Sequence, residues 1–481
     1  MCASLFLFHN HRNMLTEPTL SIDTLPPEII DRTPEVRAFH SRDRWPLAAK
    51  RSPEEEADAQ PEAVLFPSNT REVARIMQLA TAENLRVVPF GAGSGVVGAA
   101  VPSHGELVMS LARLNHHGEP DETNLTVTAG AGLPAMELEE SLNRRGYTLG
   151  HYPQSLPLAS VGGLVATRST GTFSNKYGGI EQLVLALQAV LADGTVIDYP
   201  HLPRAAMGPD TQQLFIGAEG TLGVITSVTL RIFPLPEQRR FHGYRFPDID
   251  SGLACLQTFN RLHLRPAVLR LYDAEEAKGL YGRANVDPGG ALLITGHEGV
   301  GEMVAAEFQR TTAEVERHGG ISLGDGIGEA WEQHRYDASW LEVGNDGAGK
   351  YADAIEVAVA WSELAPIYHA VTEAIRPLCA RTMAHYSHFY STGGCLYFIL
   401  FIDEPDPEEA RRRYLECWRL VMEITARHHG ALSHHHGVGR ARAASLPAQW
   451  GSALKVYERV KQILDPNNQL NPGKFPQGLS Q

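Results

Sequence analysis

Three histidines in a row, His434-His435-His436, stand just ahead of Gly437 and Gly439. Histidine titrates near neutral pH, so such a group can take or give an alcohol proton. Side chains on an extended segment alternate faces, so at most two of the three point one way. Tyr397, in the apolar run Gly394-Cys395-Leu396-Tyr397-Phe398, is either a core tyrosine with a satisfied hydroxyl or a second proton-handling group. Arg270, in Arg270-Leu271-Tyr272-Asp273, is either an ion-pair partner or a substrate contact. His385 and His388 read as structural or wall residues. No metal is expected at the triplet, because adjacent ligands cannot easily all reach one ion and no partner cluster accompanies them.

A second kind of chemistry is written in glycine. Gly91-Ala92-Gly93-Ser94-Gly95 and Gly98 follow an apolar run that ends in Pro89. Glycines there permit positive φ and bring successive backbone N–H groups close to an anion, typically a phosphate. Two more clusters follow. One is Ser160-Val161-Gly162-Gly163-Leu164-Val165-Ala166-Thr167, and the other is Gly217-Ala218-Glu219-Gly220-Thr221-Leu222-Gly223-Val224-Ile225-Thr226. Together they predict three backbone segments gathered on one extended ligand, a large nucleotide cofactor rather than a lone phosphate. The first cluster lacks the glycine offset of a Rossmann fingerprint.

The elements that must carry these residues are mixed. Residues 63–67 and 85–90 read as strands around a helix capped at Ser68-Asn69-Thr70, with Val73, Ile76, Met77 and Ala80 at helical spacing. Strands are predicted over 107–111 and 125–130, and a helix through Met136, Leu138 and Leu142. A strand pair over 183–191 and 195–199 turns at Ala192-Asp193-Gly194. Beyond Pro234 and Pro236 come strands over 240–245, 291–296, 355–359 and 396–402, with helices over 303–318, 362–376 and 408–429. Glu54-Glu55-Glu56 reads as a solvated linker, and Arg411-Arg412-Arg413 as the wet face of a helix. The last stretch, 457–475, reads as a helix, a turn at Asp465-Pro466-Asn467-Asn468 and an extended tail. The fold class is α+β.

The 481 residues are too many for one ordinary core, and 43% hydrophobic with 20% charged is a globular balance. A net charge of -14 argues against nucleic acid or an anionic membrane as partner. The five cysteines are scattered, which argues against a disulfide framework or a zinc site and fits a reducing compartment. Residues 3–8 form a short apolar run without the flanks of a signal peptide, and no run is long enough to span a membrane. The C-terminus is not a Ser-Lys-Leu peroxisomal address. A cytoplasmic enzyme acting on a small molecule is expected.

The three glycine motifs, in this order, resemble those of the vanillyl-alcohol-oxidase-type flavoproteins. Their FAD domain carries a glycine loop, a Val-Gly-Gly segment and a Gly-x-Glu-Gly-Thr-Leu-Gly-Val segment. Within that family the nearest resemblance is to the alkyldihydroxyacetonephosphate synthases. It rests on His151-Tyr152-Pro153-Gln154-Ser155-Leu156, Tyr177-Gly178-Gly179-Ile180-Glu181 and Ser433-His434-His435-His436-Gly437-Val438-Gly439. The resemblance implies a PCMH-type FAD-binding domain (61–236) after an N-terminal extension (1–60). An α+β cap domain for substrate (237–460) follows, and a C-terminal segment (461–481) returns to the FAD domain. It implies FAD held without a covalent link by Pro89, Gly91, Ala92, Gly93, Ser94, Gly95, Gly98, Ser155, Ser160, Gly162, Gly163, Ala166, Thr167, Glu219, Gly220, Gly223 and Ile225. It assigns Tyr397 and the histidine triplet to proton handling and Arg270 to the substrate, in a homodimer by analogy.

The reaction so implied exchanges an acyl group for a fatty alcohol with no net redox change. One departure bears on it. Where those synthases carry an arginine in the cap, this chain has Trp340-Leu341-Glu342-Val343, and Glu342 would repel a phosphate that an arginine grips. The alternative is an FAD-dependent oxidoreductase moving a hydride from an alcohol or D-2-hydroxy acid to FAD. The tail Asn471-Pro472-Gly473-Lys474 resembles the flavin-dependent 2-hydroxyacid dehydrogenases, but the metal-binding segments of those relatives are not matched.

Overall fold

Continuous apolar runs make the first sheet. Ala63–Leu65, Leu107–Ser110 and Val87–Phe90 lie parallel in that order, and Ile30–Asp31 adds an antiparallel edge. Ala63, Val64, Leu65, Val87, Val88, Leu107, Val108 and Met109 are all buried, as parallel strands covered on both faces must be. The helix Thr70–Ala82 starts where the Asn69 side chain accepts from the Glu72 N–H, and it buries Val73, Ile76, Met77 and Ala80. This computed structural model describes residues 21–475 apart from 285, 287 and 288. The apolar run at 3–8, Cys2 and the C-terminal residues 478–481 lie outside the described residues.

A second, antiparallel sheet takes the order Thr126–Gly130, Val224–Arg231, Val184–Val190, Val196–Asp198. The hairpin expected at Asp193-Gly194 forms there, with Gly194 at φ 82°. The later part of the chain builds one seven-stranded antiparallel sheet. Its order is Ile321–Gly324, Gln238–Phe246, Ala291–Gly299, Val268–Tyr272, Arg381–Phe389, Gly393–Asp403, Lys350–Ala360. Helices Ile249–Arg261, Leu364–Ile375 and Pro407–Arg427 cover one face. The strands Val268–Tyr272 and Arg381–Phe389 were not marked in the sequence pattern, and they carry Arg270 and His385. Among the described residues no helix is long and apolar enough to cross a membrane.

Two expectations change. The acidic run Glu54-Glu55-Glu56 is not a linker but half of the helix Pro53–Asp58. The Ser52 side chain accepts from Glu55 N–H while Glu55 reaches back to the cap, and Pro53 opens the first turn. The final helix, Leu454–Leu464, begins before Tyr457, and the chain then returns to the first sheet where Leu470 bridges Val87. Arg412 and Arg413 do line a wet helix face, paired with Glu409 one turn back.

The two lobes meet at a seam of polar side chains. On the first lobe the turn Ser174–Tyr177 presents Ser174 to His388 Nδ1 (2.8 Å), and the Asn175 carbonyl oxygen accepts from Phe389 N–H (3.0 Å). Lys176 and Tyr177 both reach the Glu298 carboxylate, which Arg239 also grips from its own strand at 2.6 Å. The Glu298 side chain is almost wholly buried. Removing one member of such a group strands the others, so Glu298→Ala should cost ~3–5 kcal/mol of stability in urea unfolding. A loss below ~1 kcal/mol, the range of an exposed pair, would count against this seam.

Candidate active site

The three glycine segments meet. A Cβ on Gly91 would fall 2.4 Å from Ser160 Oγ and 3.6 Å from Gly163 Cα, and one on Gly220 would fall 2.9 Å from the Pro89 ring. Ser160 caps the short helix Val161–Ala166, accepting from Gly163 N–H. The missing side chains at Gly91 and Gly220 are what let the three segments pack this closely. They border a cleft of ≈ 830 Å³ that runs on to Tyr397, His385, His388, His435, His436 and Arg270. Every residue assigned above to the cofactor lines it except Gly98. Gly98 has φ 76°, and a Cβ there would meet the Trp45 ring at 2.7 Å, so its bareness seats the N-terminal arm instead. That arm also brings Arg42, Asp43 and Arg44 to the cleft. Nothing in the sequence marks them, because a polar segment without periodicity carries no placement signal.

The catalytic candidates come from strand alternation. In the cap sheet Tyr272 faces His385, His385 faces Tyr397, and Tyr397 faces Glu356 across successive strands. Paired residues share a face, so these four form one row. Their chain neighbours Leu271, Tyr386, Leu396, Phe398, Ile355 and Val357 point the other way into the helix-covered core. His385 and Tyr397 stack with ring centroids 4.5 Å apart. Arg270 donates to His385 Nε2 at 2.6 Å, and His385 Nδ1 in turn meets Glu276 at 2.8 Å. Arg270 Nε has no hydrogen-bond partner among the described residues. His388 sits where the strand register shifts, at φ 56°, which turns its ring toward the triplet.

One buried carboxylate organises the triplet. Glu356 accepts from Ser433 Oγ, from the backbone N–H groups of His434, His435 and His436, and from Arg442. The chain therefore wraps round Glu356 as a turn rather than running extended. From the first lobe Glu219, at φ 51°, accepts from Val438 and Gly439 N–H. Gly437 is at φ 92°, and a Cβ there would collide with the Glu219 carboxylate. Glu219 thus lines the cleft but spends its carboxylate on the loop.

The rings then form a chain. Tyr397 O–H donates to His435 Nε2 (2.7 Å), His435 Nδ1 meets His434 Nδ1 (2.7 Å), and His434 Nε2 meets Tyr390 OH (2.7 Å). One set of tautomers, with protons on His435 Nδ1 and His434 Nε2, satisfies all three bonds. His435 and His436 border the cleft. His434 does not; it faces a neighbouring cavity of ≈ 710 Å³ with His435, among Leu214, Ile216, Leu432, Trp450, Tyr457 and Phe475. Nitrogens of His388, His434 and His435 also lie within 4.8 Å of one another, a spacing three metal ligands could share. Each ring is already hydrogen-bonded, to Ser174, Tyr390 and Tyr397 respectively. Glu342 borders the cleft as an exposed carboxylate 3.8 Å from Arg44.

Burial holds the triplet neutral. It pushes His434 and His436 down to about 4 and His435 well below its ordinary value, the last helped by the flanking imidazoles. Burial likewise raises the Tyr397 phenol well above its ordinary value. For Glu356 burial opposes ionisation, but Arg442, His436, His434 and the backbone donors outweigh it and keep the carboxyl below its usual range. A histidine depressed in the fold contributes stability that is complete above its unfolded value of 6.5 and is lost as pH falls toward about 4. The unfolding free energy should therefore fall between pH 6.5 and about 4, and His434→Gln or His436→Gln should flatten that slope. A slope unchanged in both variants would contradict the assignment.

Comparison with known proteins agrees with this cleft. The FAD binding domain family matches residues 61–199, and the family of FAD linked oxidases, C-terminal domain, matches residues 235–475. The FAD-linked oxidoreductase YgcU of Escherichia coli is 35% identical over 438 residues, covering 86% of this chain and 88% of that one. The alkyldihydroxyacetonephosphate synthase of Trypanosoma brucei brucei is 28% identical over 492 residues, 95% of this chain and 79% of the relative. A solved alkyldihydroxyacetonephosphate synthase superposes with TM-score 0.79 at 24% identity, over 94% of this chain and 84% of that one. A substrate-bound p-cresol methylhydroxylase does so with TM-score 0.75 at 14% identity, over 96% of each. With both family models matched and a relative 35% identical, the chain belongs to the FAD-linked oxidases and is an FAD-dependent enzyme of α+β fold.

Proposed function

We propose that this enzyme oxidises a hydroxyl-bearing substrate, with FAD as hydride acceptor and Tyr397 and His435 managing the hydroxyl proton. The observation that carries the reading is the 2.7 Å hydrogen bond from Tyr397 to a neutral, enclosed His435 at the end of the glycine-lined cleft. A domain over 61–236 would hold FAD without a covalent bond, and the cofactor would supply a two-electron acceptor at its isoalloxazine ring. The cap over 237–460 supplies the proton machinery, and the segment from 461 on closes back against the first lobe.

The chain's own task is to move one proton. Tyr397 oxygen takes the substrate hydroxyl proton while its own passes to His435 Nε2, and the His435 Nδ1 proton moves to His434 Nδ1, leaving His434 as the imidazolium near the Glu356 carboxylate. The shift is concerted, so the Tyr397 phenol and the His435 imidazole are never charged on their own, and the substrate's proton ends on His434. Arg270, fixed by His385, orients the substrate oxygen. Glu342 beside Arg44 is the reason for choosing an alcohol without a phosphate: a carboxylate there repels the dianion that a free arginine would clamp.

The second reading is a synthase-like exchange of an acyl group for a long-chain alcohol at the same cleft. It is favoured by the apolar cavity of ≈ 710 Å³, which touches the cleft at His435 and has room for a chain. Anaerobic addition of alcohols and 2-hydroxy acids separates the two. Lasting bleaching of the flavin is expected from the first reading. Turnover without an electron acceptor, on acyl-dihydroxyacetone phosphate, would establish the second. In either case Tyr397→Phe and His435→Gln should lower turnover by ~10²–10⁴-fold with FAD content unchanged. Full turnover in both variants would overturn the proton assignment.

A further inference from the structure

Five cysteines scattered through the chain gave no disulfide pattern, yet the fold brings two of them together. Cys379 ends the short turn Arg376–Leu378, just before the strand Arg381–Phe389 that carries His385. Cys417 lies midway along the helix Pro407–Arg427, on its buried face with Tyr414, Trp418 and Val421. Their sulfurs are 3.6 Å apart, in contact and unbonded. The two sulfurs differ in access. Cys379 is half-buried at the edge of the core and Cys417 is fully enclosed. Cys255 and Cys395 are also buried, but neither has a sulfur partner among the described residues.

We propose that Cys379 and Cys417 form a peroxide-sensitive dithiol that closes to an intramolecular disulfide, a modification site separate from the flavin cleft. Neither residue borders either cavity, so the inference stands whatever the substrate proves to be. The geometry divides the labour. The accessible Cys379 thiolate attacks hydrogen peroxide; an S–O bond forms, the O–O bond breaks and hydroxide leaves as water. Cys417 then attacks the resulting sulfenic acid; the S–S bond forms, the S–O bond breaks, and the departing hydroxide takes the Cys417 proton as a second water. Two thiols are oxidised by two electrons and one peroxide is reduced to two waters. The 3.6 Å between the sulfurs has to close to a bond of about 2.0 Å. The bond would tie the helix Pro407–Arg427 to the root of the strand Arg381–Phe389, across a loop of 38 residues.

The test treats full-length, FAD-loaded protein with hydrogen peroxide, alkylates it under denaturing conditions and maps the peptides without reduction. A linked peptide pair containing Cys379 and Cys417 is expected, lighter by two hydrogen atoms. Dithiothreitol should reverse it, and the Cys379→Ser variant should lack it. In parallel, peroxide should raise the thermal midpoint of the wild type and not that of Cys379→Ser, because the link restricts the unfolded chain. Cys379 found carrying added oxygen while Cys417 remains free to alkylate would overturn the proposal. So would Cys379 joined to any other cysteine or to a second chain.

Discussion

Everything at the catalytic end of the cleft depends on the Glu356 carboxylate. It is enclosed, and it stays ionised because Arg442 and a fan of donors face it. By accepting from three consecutive backbone N–H groups it bends the Ser433–Gly437 chain into a turn, and that bend aims three consecutive imidazoles in different directions. An extended segment would have sent them alternately to two faces. A buried charge earns its place only when its bonding capacity is filled, and here both oxygens are used.

Glu356 comes from the cap, and its counterpart Glu219 comes from the cofactor lobe. The two carboxylates hold neighbouring parts of one loop, so the three imidazoles are registered against both lobes at once. The Ser174–Tyr177 turn fixes the same registration on the far side, through His388 and Glu298. The triplet is therefore pinned from both lobes rather than carried on a free loop. A flavin ring entering along the glycine segments would find Tyr397 already placed by sheet pairing.

The sheet itself explains why Tyr397 is available. In a strand with Leu396 and Phe398 buried under helices, the tyrosine between them must face the other way, together with Cys395 and Ile399. The face it shares carries His385, Arg270 and Glu356, an unusual density of polar groups for a sheet interior. Each is bonded to another, Arg270 to His385, His385 to Glu276, and Glu356 to the loop, so the polar row closes on itself and leaves its free edge toward the cleft.

The order of residues carries what is local. Glycine at positions 91, 93, 163 and 220 announces close backbone approach, Asn69 and Asp193-Gly194 announce a cap and a turn, and the order of the motifs announces an FAD-linked oxidase. Even the helix at Pro53–Asp58 was written in Ser52-Pro53-Glu54-Glu55, although its acidity reads as solvated chain. Tertiary structure alone decided which distant residues meet. Gly98 packs against Trp45 beyond the cleft lining, and His434 turns to Tyr390 while His435 turns to Tyr397. Glu356 lies under the triplet, and two of the scattered thiols touch. The physical reason is range: capping, turn geometry and strand alternation act over a few bonds, whereas strand register and lobe docking are set by the burial of the whole core, which no short window of sequence contains.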